Sequence, residues 1–161
     1  MKTKNIILFV VTIILLSMQS IAYCAGGLSY TETVSLIKTI MVDNPSDYRK
    51  ESYGTVKFDQ CSLEYSVAGT YPVGGLYNIK FSNINFSGLD PQEAKTGNDY
   101  TPFILLSFND YFTSMDGYQE LKLRTLVVNL SSEEKTEELF KAFLHLGELC
   151  RGRGVTAAHI P

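Results

Sequence analysis

The residues able to act as strong nucleophiles or soft metal ligands are few: Cys24, Cys61, Cys150, His145 and His159. A cysteine–histidine site needs a thiolate within hydrogen-bond reach of an imidazole. Positions 145 and 150 fall about 140° apart around a helix, so they do not share a face. His159 lies in the last three residues, where chains are commonly disordered. Zinc is no better served, because neither a Cys-x-x-Cys pair nor a histidine pair at helical spacing is present. Asp90, Asp99, Asp110 and Asp116 sit in polar stretches beside Tyr, Gly or Pro, but no Asp-x-Asp-x-Asp-Gly ladder suits them to calcium. Aspartate is also an ordinary turn former. No carboxylate pair is placed as a glycosidase would need it. The sequence therefore predicts neither catalytic residue, metal nor cofactor, and the expectation is a protein that is not an enzyme.

The cysteines carry a different message once the start of the chain is read. Met1-Lys2-Thr3-Lys4-Asn5 is basic, Ile6 to Leu16 is apolar, and Ser20-Ile21-Ala22 is small and polar. That layout is a secretory signal peptide over residues 1–24, cleaved after Ala22 or Cys24. The apolar stretch is shorter than the ~18 residues of a spanning helix. Export implies an oxidising compartment. Cleavage after Cys24 leaves an even pair, Cys61 and Cys150, whereas cleavage after Ala22 keeps all three. Ile21-Ala22-Tyr23-Cys24 resembles a bacterial lipoprotein box, but Tyr23 replaces the small residue required there, which argues against a lipid anchor at Cys24. Losing Lys2 and Lys4 leaves 12 basic and 17 acidic residues, net −5. An acidic domain has no electrostatic footprint for nucleic acid, and no second long apolar run predicts a membrane span.

Residues 25–161 are of single-domain length. Ser29 and Glu32 form a capping box ahead of Val34, Ile37 and Met41, which predicts a helix from Ser29 to Asp43, and Asn44-Pro45 stops it. A two-residue alternation follows in Val56 and Phe58, and again in Cys61, Leu63, Tyr65 and Val67. Its phase slips at Asp59-Gln60, implying a bulge or tight bend. Tyr71-Pro72-Val73-Gly74-Gly75 is a turn, and Tyr77, Ile79 and Phe81 alternate until a second slip at Ser82-Asn83. Leu89 to Thr101 reads as a loop, Phe103 to Phe108 as a central strand, and Asn109 to Gly117 as a connection. Leu121 to Leu130 holds the last strand or pair of strands. Ser131-Ser132-Glu133-Glu134 predicts a second capping box. Leu139, Phe143, Leu146 and Cys150 form one face of the helix it opens, with Gly152 as C-cap and a short flexible tail from about 153. Arg151-Gly152-Arg153-Gly154 reads as solvated rather than as a phosphate site.

Helix, strands, helix predicts an α+β fold, an antiparallel sheet, curled or barrel-like, with both terminal helices packed on it. Cys61 falls on the apolar phase of its strand group and Cys150 on the apolar face of the last helix. The expected disulfide would close a loop of about 90 residues, worth roughly 4–5 kcal/mol if unstrained.

Phe58-Asp59-x-Cys61, together with Phe140-Lys141-Ala142-Phe143-Leu144-His145-Leu146 through Cys150-Arg151-Gly152, resembles small exported bacterial domains of uncharacterised function. The resemblance implies bacterial export, periplasmic or secreted, and a sheet closed by a C-terminal helix. It brings no active-site residues.

One compositional feature points to a role. The segment from Tyr65 to Tyr118 is rich in Tyr, Asn and Asp, and Tyr71, Tyr77, Tyr100, Tyr111 and Tyr118 are candidates for a binding surface. Tyrosine offers large contact area at low entropic cost, though it also favours strands for packing alone. The expectation is a non-enzymatic, exported interaction domain that engages a protein or cell-envelope partner, an inhibitor or immunity-type role being one version. The alternative is a small apolar-ligand carrier with its pocket between sheet and C-terminal helix.

Overall fold

The computed structural model describes residues 27–71 and 73–157. The leader, Cys24, Pro72 and His159 lie outside them. Helix α1 spans Tyr30–Asp43 and is followed by β1 (Ser52–Asp59), β2 (Ser62–Thr70) and β3 (Leu76–Asn85). A single 3-10 turn at Phe86–Gly88 leads to β4 (Leu89–Asn98), then β5 (Pro102–Asp116), β6 (Gln119–Asn129) and helix α2 (Glu133–Ala157). The predicted α+β architecture is the one observed: one antiparallel six-stranded sheet between an N-terminal and a C-terminal helix.

Local chemistry sets most boundaries. The Ser29 hydroxyl accepts from the Glu32 backbone, and Glu32 reaches back to the Ser29 N–H at 2.8 Å, which completes the expected capping box. Hydrogen bonds from the Ser29 side chain and then its backbone hold the Glu32 carboxyl below its ordinary range. The slip at Asp59-Gln60 is a two-residue hairpin turn, with Asp59 opposite Ser62 and Gln60 at φ 48°. The slip at Ser82-Asn83 is a bulge. Leu63 faces Ile84 and Tyr65 faces Phe81, so β3 carries one extra residue there, and Asn83 takes φ 62°, a conformation asparagine tolerates better than most.

Four expectations change. Leu89 to Thr101 is not a loop: its first ten residues are β4, paired along β5. Between Asp90 and Lys95 the strand bulges, Pro91 needs no donor, and Asp90 accepts from the Gln92 N–H. A polar, proline-bearing strand is stable because its backbone, rather than its side chains, does the pairing. Asn109 to Gly117 is likewise the second half of the 15-residue β5, whose register against β6 jumps between Ser107 and Phe112. The last helix is capped by Ser132, not Ser131: Lys135 N donates to the Ser132 hydroxyl, and Thr136 N donates to its carbonyl. Lys135 therefore occupies the third helical position, and the glutamates act on the dipole instead of closing a box. Finally, α2 runs through Gly152 to Ala157, so Gly152 is not its C-cap.

β3 and β4 lie end to end against one edge of β5, while β6 follows the other edge. The 3-10 turn between β3 and β4 and the bulge in β5 fall at the same level, so the sheet bends there. Phe86 from the turn meets Phe108 from the bend and Phe143 of α2, and Phe108 in turn meets Phe112. The Phe86–Phe143 rings stack with centroids 5.4 Å apart, and Phe86–Phe108 is edge-on at 5.6 Å. Leu139, Phe143, Leu146 and Cys150 are all buried, as their spacing predicts. The helix comes so close to β4 that a Cβ on Gly147 would sit 3.0 Å from Leu89.

Cys61, in the turn between β1 and β2, is bonded to Cys150 with Cα atoms 5.7 Å apart, across 89 residues of sequence. The bend also brings the sheet's two ends together. Pro45 ahead of β1 bridges Leu130 after β6, and Ser131 N donates to Asn44 O at 3.1 Å. Among the described residues, no helix is long and apolar enough to cross a membrane.

Candidate functional site

The junction of the two sheet ends is also where tyrosines reach the surface. Pro45 cannot continue α1, and the chain turns over Asp47–Lys50, closed by Lys50 N to Asp47 O at 3.1 Å and Glu51 N to Ser46 O at 2.9 Å. Buried Ser46 fastens this turn to the β4–β5 hairpin. The Thr101 hydroxyl donates its single proton to Leu130 O at 2.8 Å, so at 2.8 Å the Ser46 hydroxyl must donate to Thr101. On this fastened base Tyr48 and Tyr100 stack face to face, with centroids 5.5 Å and planes 11° apart. They remain 53% and 80% exposed. Two large aromatic side chains held in register in solvent are unusual for a surface with no partner.

The row continues beyond Tyr48. Arg49 O accepts from Thr70 N at 2.9 Å, which pins the turn to the end of β2 and sets Tyr71 beside it. Tyr71 donates to Asp116 at 2.8 Å across to the end of β5, and its ring lies 5.0 Å from Tyr77. That hydrogen bond raises the Tyr71 phenol above its ordinary value. Tyr48 and Tyr71 thus flank the Arg49–Thr70 backbone bond, and with Tyr100 they make up a rim of exposed rings.

Beneath the rim is a buried polar cluster centred on Glu51. Its carboxyl accepts from Tyr77 at 2.7 Å and from the Asn129 amide at 2.9 Å. Tyr53 donates to Asn129 O at 2.9 Å and accepts from Asn129 N at 3.0 Å, so one hydroxyl satisfies both backbone groups at the end of β6. A Cβ on Gly69 would meet the Tyr77 hydroxyl at 2.5 Å, so only glycine leaves room for that ring.

Burial first, and then Glu51, raise the phenols of Tyr53, Tyr65 and Tyr77 well above the ordinary 10.0. The fold therefore favours their neutral forms. This contribution is whole below about pH 10 and is lost as pH climbs from there toward the folded values. Urea midpoints taken from about pH 8 to about pH 11 should fall beyond pH 10, and Tyr53→Phe should flatten part of that fall. The same substitution should cost about 1–3 kcal/mol at neutral pH, because it strips the partners from Asn129.

Of the five tyrosines singled out from sequence, four are exposed and only two, Tyr71 and Tyr100, belong to the rim. Tyr118 is fully exposed at the β5–β6 turn. Tyr111 stands on the β5 bulge with the Arg124 guanidinium 4.3 Å from its ring centroid. Tyr77 is not a surface residue: it is 7% exposed, and its hydroxyl is committed to Glu51. Sequence reasoning missed Tyr48, whose position in a turn after Asn44-Pro45 was the available signal. It also missed Glu51, for which Lys50-Glu51-Ser52 gives none.

Cys61, Cys150, His145 and Arg151 are otherwise engaged. Cys61 and Cys150 are bonded to each other, so neither is a thiolate. His145 Nε2 bonds Leu28 O at 2.8 Å, tying the start of the described chain to α2. Arg151 donates to Leu89 O at 3.0 Å. A groove of about 240 Å³ between β4 and the start of α2 includes Glu133 and Glu137, which accept from Asn98 and Thr96. Among the described residues, no group of three His, Cys, Asp or Glu side chains could hold a metal ion. No family model, curated protein or solved structure matches the chain.

Proposed function

We propose that the protein is an exported, non-enzymatic binding domain that engages a protein or cell-envelope partner through the Tyr100–Tyr48–Tyr71 rim, in a periplasmic or secreted setting. The observation that carries this reading is the exposed Tyr48–Tyr100 stack on loops fastened from below. Pre-ordered aromatic anchors lose little entropy on binding and make the strongest contacts at interfaces. Export is supported by the leader and by the long-range disulfide. The carrier alternative is less favoured, because the rings of Phe86, Phe108 and Phe143 pack on one another between the bent sheet and α2.

A Tyr48→Ala/Tyr100→Ala variant should lose the species that the unaltered protein captures from envelope extracts of the producing cell. Its melting temperature should hold, because Ser46, Thr101 and Leu130 secure the loops without either ring. Capture at undiminished yield would remove the rim from the account.

A further inference from the structure

We propose that the Tyr48–Tyr100 stack is a seat for arginine, so that the rim's partner is a basic, arginine-bearing protein segment. This inference rests on the rim being the contact surface and adds the chemistry of what sits there. Each stacked ring follows an exposed aspartate, Asp47 before Tyr48 and Asp99 before Tyr100. Among the described residues neither carboxylate has an ion-pair or hydrogen-bond partner. Three other acids do pair with lysines, Glu64 with Lys80, Glu120 with Lys122, and Glu138 with Lys135. An aromatic face flanked by carboxylates attracts a cation both through the ring quadrupole and through charge.

The protein contains its own precedent. Asn98-Asp99-Tyr100 recurs unaltered as Asn109-Asp110-Tyr111. At the second copy the exposed Tyr111 ring is covered by the guanidinium of Arg124 at 4.3 Å. At the first copy, among the described residues, Tyr48 alone stacks on the ring, which stays 80% exposed. Two local cations could compete for the seat. Arg49 and the exposed Lys50 follow Tyr48 in the chain, and neither forms an ion pair with Asp47 or Asp99 among the described residues. Arginine suits the place better than lysine, because its planar guanidinium stacks on a ring while still reaching a carboxylate. The acidic balance of the whole chain, 17 acidic against 14 basic residues, would steer a basic partner toward it.

The test uses a blocked peptide of alternating arginine and glycine, with a citrulline–glycine peptide as its uncharged isostere and a neutral oligosaccharide as a third probe. Binding is followed by the backbone amide shifts at positions 46 to 50 and 98 to 101, which every variant retains. The arginine peptide should bind, weaken as salt is added, and exceed the citrulline peptide by about tenfold. Tyr48→Ala/Tyr100→Ala and Asp47→Asn/Asp99→Asn should each weaken it about tenfold, whereas Lys141→Ala on the far side of α2 should not. Equal binding of the citrulline peptide, undiminished binding by the asparagine variant, or preference for the oligosaccharide would overturn the arginine seat. If the alanine variant still loses its captured partner, the contact surface survives that result. If capture is retained, both readings fall together.

Discussion

Phe86→Ala is expected to destabilise the protein by about 3–5 kcal/mol, the range for emptying a fully buried aromatic site. Phe86 is 0% exposed and touches rings from three other elements: Phe58 of β1, Phe108 of β5 and Phe143 of α2. It also sits on the 3-10 turn where the sheet bends, so its loss removes packing from both the bent sheet and the helix that covers it. Domains of this size are held by only about 5–15 kcal/mol in total. Urea unfolding should show the midpoint falling sharply with the slope little changed, while Phe86→Leu should recover most of the loss. A change under about 1 kcal/mol would mean the site collapses around the void, and the bend would then not depend on this ring.

Removing the Cys61–Cys150 bond is expected to cost about 2–5 kcal/mol, with the loop-entropy model near the top of that range. The bond spans 89 residues and joins the β1–β2 turn to the far half of α2. It therefore restricts the unfolded chain across nearly the whole sheet. The paired variant Cys61→Ser/Cys150→Ser should be less stable yet retain the α+β fold, because Leu139, Ala142, Phe143 and Leu146 still bury the same helical face. Adding a reductant should lower the melting temperature of the unaltered protein and leave that of the variant unmoved. The two results together separate the covalent contribution from packing.

The parts of the fold visible in the sequence were those governed by side-chain period. The α1 boundaries followed from Ser29, Glu32 and Pro45, and the buried face of α2 from the spacing of Leu139, Phe143, Leu146 and Cys150. The disulfide was legible from Cys150, which lies on the buried face of α2, whereas Cys61 sits half-buried in the β1–β2 turn and not on a strand phase. What was hidden is held by backbone pairing. β4 reads Leu-Asp-Pro-Gln-Glu-Ala-Lys-Thr-Gly-Asn, a loop by composition, and it is a strand because β5 lies beside it with a bulge that accommodates Pro91. The Asn109-Asp110-Tyr111 segment suggested a connection for the same reason, being polar residues of a bulge inside a long strand.

The candidate site divides the same way. Tyrosine enrichment was legible, and it located Tyr71 and Tyr100. Which rings face solvent depends on register and on the meeting of the two sheet ends, neither of which is written in local composition. Composition therefore puts Tyr77 outside, whereas its register and Glu51 draw it in. Composition does not single out Tyr48, although Tyr100 lies across from it. Their pairing joins positions 52 residues apart, and it exists only because Pro45 meets Leu130 and Ser46 meets Thr101.

The central claim is that the rim built on Tyr48 and Tyr100 is where the partner sits. A photo-crosslinking residue placed at position 100, at position 48, or at the exposed α2 position 141 tests it in the producing cell. Positions 48 and 100 should yield the same crosslinked species, and position 141 should yield none of it. Equal crosslinking from position 141, or different species from positions 48 and 100, would contradict the account.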